Sequence, residues 1–345
     1  MDACVFDGTL VYSCLPKSCD GDLVKQMPKV SEIRDPFRSG RRFILQRARP
    51  IDCARWRFLF EGASPESVLD VLTQYQNSDG GFGHGLEPDF WNPMSSPIQT
   101  WGATEIIHSL NYKNEGHSVI QGILRYLESA VHFDGHTWSR TVPTNNDYPH
   151  AEWWSHESQG QPASVRTYNP TAALAGFALQ FSKVGSRLHD LAIQVSAEAF
   201  DALLGSSSVE VHELSCFHRL LQCVVNQEAE VGVDIAKVTQ LIRTQANEAI
   251  TRDTSKWATE YVVRPSRFIR SRNDPLFAEN EEAIRYECSL LTETQLDDGS
   301  WPVTWHWSAY PNEWPIAQEW WKSIVVIENI QFLMNMTLKA RDQSA

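Results

Sequence analysis

Gln76-Asn77-Ser78-Asp79-Gly80-Gly81-Phe82 and Gln295-Leu296-Asp297-Asp298-Gly299-Ser300-Trp301 share one pattern: Gln, three residues, Gly, one residue, then an aromatic. Each follows an apolar helical stretch and runs into a loop rich in Pro and Trp, after which helical spacing resumes. A weaker echo, Asp134-Gly135 followed by Trp138, lies between them. Gly-bearing turns repeated between helices predict stacked hairpins that bury one continuous core. In such a turn the Gly frees the backbone, the Gln amide bonds a neighbouring helix end, and the aromatic packs over both. Gln76, Gly80, Phe82, Gln295, Gly299 and Trp301 are therefore read as scaffold.

The rest of the chain has the same character. Helical spacing of apolar residues predicts helices over residues 32–49, 99–110, 119–130, 171–181, 188–204, 211–225, 233–250, 276–293 and 316–338, and Ser64-Pro65-Glu66 opens another. Alternating β-branched runs are almost absent, and Tyr261-Val262-Val263 is the main short strand candidate, so the class is all-α. Long connections cover residues 80–97, 134–169 and 251–274, and loops of that length in a helical protein often carry function.

Composition narrows the function. The 345 residues carry 30 Lys+Arg against 43 Asp+Glu, a net charge of −13, which disfavours a nucleic-acid partner. With 42% hydrophobic and 21% charged residues, the chain is expected to fold rather than stay disordered. No apolar run reaches about 18 residues, so no membrane span is expected. No secretory leader is read at the N-terminus, and the seven Cys fit reduced thiols, so a cytoplasmic location is expected. The 13 Trp exceed what a core of this size needs, and six of them fall between Trp301 and Trp321. Clustered indoles build a packing seam or the wall of an apolar cavity.

The Gln…Gly-x-Trp turn resembles the QW motif of the squalene-cyclase and protein-prenyltransferase β-subunit superfamily. The longer string from Gln76 through Gly83-His84-Gly85-Leu86-Glu87-Pro88-Asp89 resembles stand-alone, single-toroid proteins built of prenyltransferase/squalene-oxidase repeats. Arg57-Phe58-Leu59-Phe60-Glu61-Gly62 and the segment from Gln295 to Trp307 fit them too, so the likeness covers roughly residues 33 to 340. It implies an α/α toroid, a ring of helical hairpins around an apolar centre. The expected organisation is an N-terminal extension over residues 1–30 and a single toroid domain over residues 31–340.

The superfamily's usual reactive groups are missing. There is no Asp-x-Asp-Asp to protonate an alkene and no Asp-Asp-x-x-Asp to hold magnesium against a diphosphate. The only Asp-x-Cys string, Asp2-Ala3-Cys4, lies outside the expected ring. Cys53 and Cys288 read as packing groups rather than zinc ligands. The expectation is therefore no metal and no cofactor.

Several groups remain as candidates for chemistry. Glu87 and Asp89 follow the first turn, and desolvation by Trp91 and Trp101 would raise a carboxyl pKa until it could donate a proton; the plainer reading is a helix cap or an Arg pair. His84 is placed beside them as a substrate contact. His150, Glu152 and His156 are acid–base candidates in a loop with Trp153 and Trp154; the zinc-deaminase pattern suggested by His150-Ala151-Glu152 lacks its Pro-Cys-x-x-Cys half. Arg264, Arg267, Arg270 and Arg272 suit an anion clamp or simple charge balance, whereas Arg34, Arg38, Arg41, Arg42, Arg47 and Arg49 are spaced like a solvated helix face. Trp301, Val303, Trp305 and Trp307 alternate as an extended segment, and with His306, Tyr310, Trp314, Trp320 and Trp321 they form a wall or a seam. Tyr168 and Asn169, at a helix start, are candidate hydrogen-bonding contacts.

Three functions fit these residues. The first is a metal-independent cyclase or isomerase of specialised metabolism acting on a preformed apolar, terpenoid-type substrate, by acid triggering or by an intramolecular [4+2] cycloaddition. The second is a carbohydrate-active toroid that stacks sugars on Trp and cuts with paired carboxylates. The third is a toroid that binds a ligand or protein without catalysis. Oligomeric state is not fixed by the sequence.

Overall fold

A computed structural model describes residues 35–156 and 167–337. The expected extension over residues 1–30, the Asp2-Ala3-Cys4 string and Arg34 lie outside them. From Pro36 the chain forms one compact unit. Among the described residues it is all-α, with eleven α-helices: α1 (Pro36–Arg47), α2 (Pro50–Glu61), α3 (Pro65–Leu72), α4 (Pro97–Ser109), α5 (Ser118–Ser129), α6 (Thr171–Phe181), α7 (Arg187–Leu204), α8 (Val211–Asn226), α9 (Ile235–Ala249), α10 (Phe277–Thr294) and α11 (Trp314–Thr337). None is long and apolar enough to cross a membrane.

Local signals set most boundaries. Proline occupies the first turn of α2, α3 and α4, where its missing N–H costs nothing. Side chains of Ser96, Ser186, Glu210 and Asp234 accept backbone N–H bonds at the starts of α4, α7, α8 and α9. Helix α2 has no counterpart in the sequence reading. In Pro50–Glu61 arginines interrupt the apolar residues so that no stripe forms, and Pro50 forces the preceding Arg49 out of helical geometry. The expected strand at Tyr261-Val262-Val263 does not form: the segment is irregular, with Val263 O accepting from Thr251 N, because no second strand is there to pair with it.

Packing follows chain order. Helix α6 packs on α4, α5, α7 and α8; α8 packs on α9; α10 packs on α11; and α1 packs on both α2 and α11, so the first helix meets the last. Apart from Gln180, α6 is buried throughout. Its small residues make that possible, since a β-carbon on Gly176 would already lie 3.1 Å from Cys223 Sγ on α8.

The two quoted turns are built alike. Gln76 Nε2 donates to Gly80 O at 2.9 Å and to Val119 O in the first turn of α5 at 3.0 Å. Gln295 Nε2 donates to Gly299 O at 2.9 Å and to Pro36 O in the first turn of α1 at 3.0 Å. Gly80 and Gly299 have φ of +93° and +94°. A β-carbon there would sit 2.0 Å from Gly122 O or 2.1 Å from Ser39 O, so only Gly lets the turn touch the next helix. Phe82 and Trp301 are buried, and Trp301 Nε1 donates to Leu291 O. The echo at Gly135 has the left-handed φ of +98° but no atom within 4 Å of a β-carbon, so it turns without docking.

Candidate functional site

Three loops converge into an apolar cluster separate from the main core, containing Phe90, Ile98, Val142, Ala151, Trp154, Trp307, Trp314 and Ala317. The loop after Phe82 pairs with the loop before α6: Trp91 N donates to Pro149 O, and Ala151 N to Asp89 O. The Trp301–Trp307 segment is extended as expected, with Trp301 and Trp307 buried and Pro302 and His306 exposed. It approaches from the far end of the sequence.

Asp89 lies at their junction, 3% exposed, and Trp307 Nε1 donates to its Oδ1 at 2.7 Å. The indole N–H groups of Trp305 and Trp321 also favour its charged form, although neither completes a hydrogen bond and both nitrogens are buried. Desolvation outweighs all three indoles, and the Glu152 charge acts in the same direction, so the Asp89 pKa is raised. Glu87, two residues earlier, is raised more: burial comes first, the Asp89 charge second, and Arg49 opposes both. Two acids this close do not ionise together readily, and the pair holds a proton near neutral pH.

Arg49 fixes this loop from beneath. It is 8% exposed; its Nε donates to Asp52 at 2.8 Å and its Nη1 to Gly85 O at 2.9 Å and Leu86 O at 3.1 Å. Its guanidinium also lies 5.3 Å from the centre of the Trp320 ring. The expected solvated role holds for Arg38, Arg41, Arg42 and Arg47 but fails for Arg49, because the break before Pro50 turns this one side chain inward. The sequence signal was Arg-Pro between two helical stretches.

The other expected residues divide. Trp91 stacks near Trp320 at 5.0 Å and meets Trp307 edge-on at 6.2 Å. Trp154 stacks on Phe90, and Tyr310 packs 5.5 Å from the buried His150. His150 Nδ1–H donates to Tyr148 O at 2.6 Å, which leaves Nε2 to accept from Ser155 Oγ at 3.0 Å. Desolvation acts to raise the Glu152 pKa, and backbone N–H groups, that of Ser308 among them, outweigh it and hold it below the usual range. His156 bonds Thr141 and Asn146 within its own loop.

The structure does not gather the remaining ones. His84 is exposed, with φ +60°, and bonds Asn77 of the first turn at 2.9 Å. Trp153 is exposed at the surface, and His306 is exposed with its ring 5.2 Å from Trp314. Tyr168 and Asn169 are buried where α6 meets α8, Tyr168 stacking on Phe217. Arg264 pairs at 3.3 Å with the buried Glu287, which also accepts from Ser266. Trp101 donates to Glu105, which Arg219 of α8 grips through Nε and Nη2 at 2.7–3.2 Å. Beyond that ion pair, a cavity of about 100 Å³ lined by His108, Gln180, Gln222 and Cys223 opens where α4 and α8 end. Among the described residues no group of three His, Cys, Asp or Glu side chains is placed to hold a metal ion.

No family model, no curated protein and no solved structure matches this chain.

Proposed function

We propose that the chain is an α/α toroid enzyme that cyclises or isomerises a preformed apolar substrate of terpenoid type by proton donation. The ring reading is supported by the packing of α1 on α11 and of successive alternate helices α4, α6 and α8. The observation that carries the chemistry is the Glu87–Asp89 pair, protonated by burial and surrounded by Trp91, Trp305, Trp307 and Trp321. In a dry aromatic setting a neutral carboxyl is the strongest proton source present. Glu87 gives its proton to an alkene or carbonyl of the substrate, a carbocation forms, and the indole faces stabilise it. The cation closes a ring or shifts a double bond, and loses a proton to the Glu87 carboxylate, so substrate and product have the same formula. Asp89, oriented by Trp307, holds the negative charge while Glu87 is empty.

Incubation in D2O of the protein with the apolar extract of the cells that express it tests this by mass spectrometry. The expected result is a product isomeric with a consumed metabolite and carrying one deuterium, lost in Glu87→Gln. Consumption without deuterium would transfer the case to a pericyclic cycloaddition, and release of sugars to the carbohydrate-active reading. Capture of a ligand with no turnover would leave a binding toroid.

A further inference from the structure

Tyr261 belongs to a relay of hydrogen bonds that reaches the same aromatic wall from the opposite side. Its base is Glu287 of α10, fully buried, which accepts from Ser266 N at 2.9 Å and Ser266 Oγ at 2.6 Å and pairs with Arg264. That anchoring fixes the turn at Pro265–Arg267 and aims Arg267 at the start of α8. There Arg267 Nε donates to Ser215 Oγ at 3.2 Å and its Nη2 to His212 Nδ1 at 3.1 Å. A guanidinium only donates, so Nδ1 of His212 must accept, and the ring proton sits on Nε2. Desolvation and the Arg267 charge lower the His212 pKa, which keeps the ring neutral. Nε2 lies 3.0 Å from Tyr261 Oη and 3.9 Å from Glu210, so the phenol oxygen is its nearer acceptor.

The consequence is directional. Once the Tyr261 oxygen accepts from His212, its own proton is left to donate elsewhere. The Tyr261 ring stacks on His212 and meets Trp305 edge-on at 5.4 Å; Trp305 in turn meets Trp321 at 5.0 Å, and both indoles bear on Asp89. Tyr261 keeps 56% of its surface free, and the charges of Arg267, Glu210, Glu328 and Glu87 act on it from four different segments. The phenol therefore faces the space that Glu87 and the indoles frame.

We propose that Tyr261 donates its phenolic proton as a hydrogen bond to a carbonyl oxygen of the substrate, so that the substrate is an apolar molecule bearing a carbonyl group. A donor whose lone pair is already engaged selects an oxygen that only accepts, which a carbonyl does. The apolar remainder lies against Trp305 and Trp321, and the bond fixes which end of the molecule meets Glu87. His212 and Arg267 are positioning residues, since they act only through the orientation of the phenol. This inference rests on the proposed apolar-substrate reading.

The test uses farnesal as carbonyl probe and farnesene as its hydrocarbon counterpart, with binding read by quenching of tryptophan fluorescence and the farnesal carbonyl stretch read by infrared difference spectroscopy. The expected result is farnesal bound at least about tenfold tighter than farnesene, with its carbonyl stretch moved to lower wavenumber. Tyr261→Phe should remove both the preference and the shift while leaving farnesene binding unchanged. His212→Ala should weaken the shift without changing the farnesene affinity. Equal affinities for the two probes in the unaltered protein, or an unchanged shift in Tyr261→Phe, would overturn the assignment. Both readouts are repeated in Glu87→Gln, where deuterium transfer is expected to be lost, so failure of the proton-donor reading is told apart from failure of the Tyr261 contact. If the unaltered protein binds neither probe, the apolar-substrate reading falls and this inference falls with it.

Discussion

The turns at Gln76–Phe82 and Gln295–Trp301 are near copies in geometry and opposites in what they lead to. In each, a Gln amide joins its own turn to the first turn of another helix, and a left-handed Gly touches that helix's backbone. After the first turn comes a loop of polar groups held by Arg49, Gln99 and Asn92 that ends in Glu87 and Asp89. After the second comes an extended run of indoles. The two runs meet in one hydrogen bond, Trp307 to Asp89. The repeat supplies a rigid place to leave a helix, and the residues beyond it supply the chemistry, one copy the acids and the other the apolar wall.

If that equivalence holds, matched substitutions should give matched losses. The largest is at the glycines. Gly80→Ala and Gly299→Ala each force a β-carbon to about the same overlap with helix backbone, and each should cost more than about 4 kcal/mol in denaturant unfolding. Gly135→Ala, with open space around it, should cost only the left-handed strain, about 1–2 kcal/mol. A mild effect at Gly80 alongside a severe one at Gly299 would break the comparison.

Next come the amides. Gln76→Ala and Gln295→Ala each remove two hydrogen bonds and leave carbonyls without their donor, so each should cost about 2–4 kcal/mol, equal within about 1 kcal/mol. Unequal losses would show that one turn is anchored by other contacts.

The smallest effect separates scaffold from site. Glu87 has a folded pKa raised above its unfolded value, so the folded state holds the proton more tightly. Its stabilising contribution is complete below the unfolded value near 4.5 and is lost as pH rises to about 8. Glu87→Gln should therefore flatten the fall in stability over that window, leaving the variant more stable than the parent at pH 8 by about 1 kcal/mol or more. Chemical unfolding at pH 5 and pH 8 checks the sign. A decline equally steep in Glu87→Gln would mean that Glu87 is ionised in the folded protein.

Ten of the eleven helices could be read from spacing and caps, because the apolar stripe and the capping residue of each lie within a few positions of one another. Helix α2 could not, since its arginines break the stripe and its helicity comes from packing on α1, α3 and α11. The candidate site divides the same way. Glu87, Asp89, Trp91 and the Trp305–Trp307 array stand out by composition. Arg49 was mistaken for a surface residue, and Tyr261 for part of a strand, because each takes its role from partners elsewhere in the chain.

By itself the sequence determined an all-helical chain with two matched turns, an excess of indoles and a pair of acids just after the first turn. Those properties are local, set by side-chain type and by spacing of a few residues. Only the tertiary structure decided that Asp89 meets an indole 218 residues away, that Arg49 turns inward, and that Arg267 dictates through His212 where the Tyr261 proton points. Burial and hydrogen-bond direction depend on which surfaces close over a group, and here those surfaces come from three loops that adjoin one another only in the folded chain.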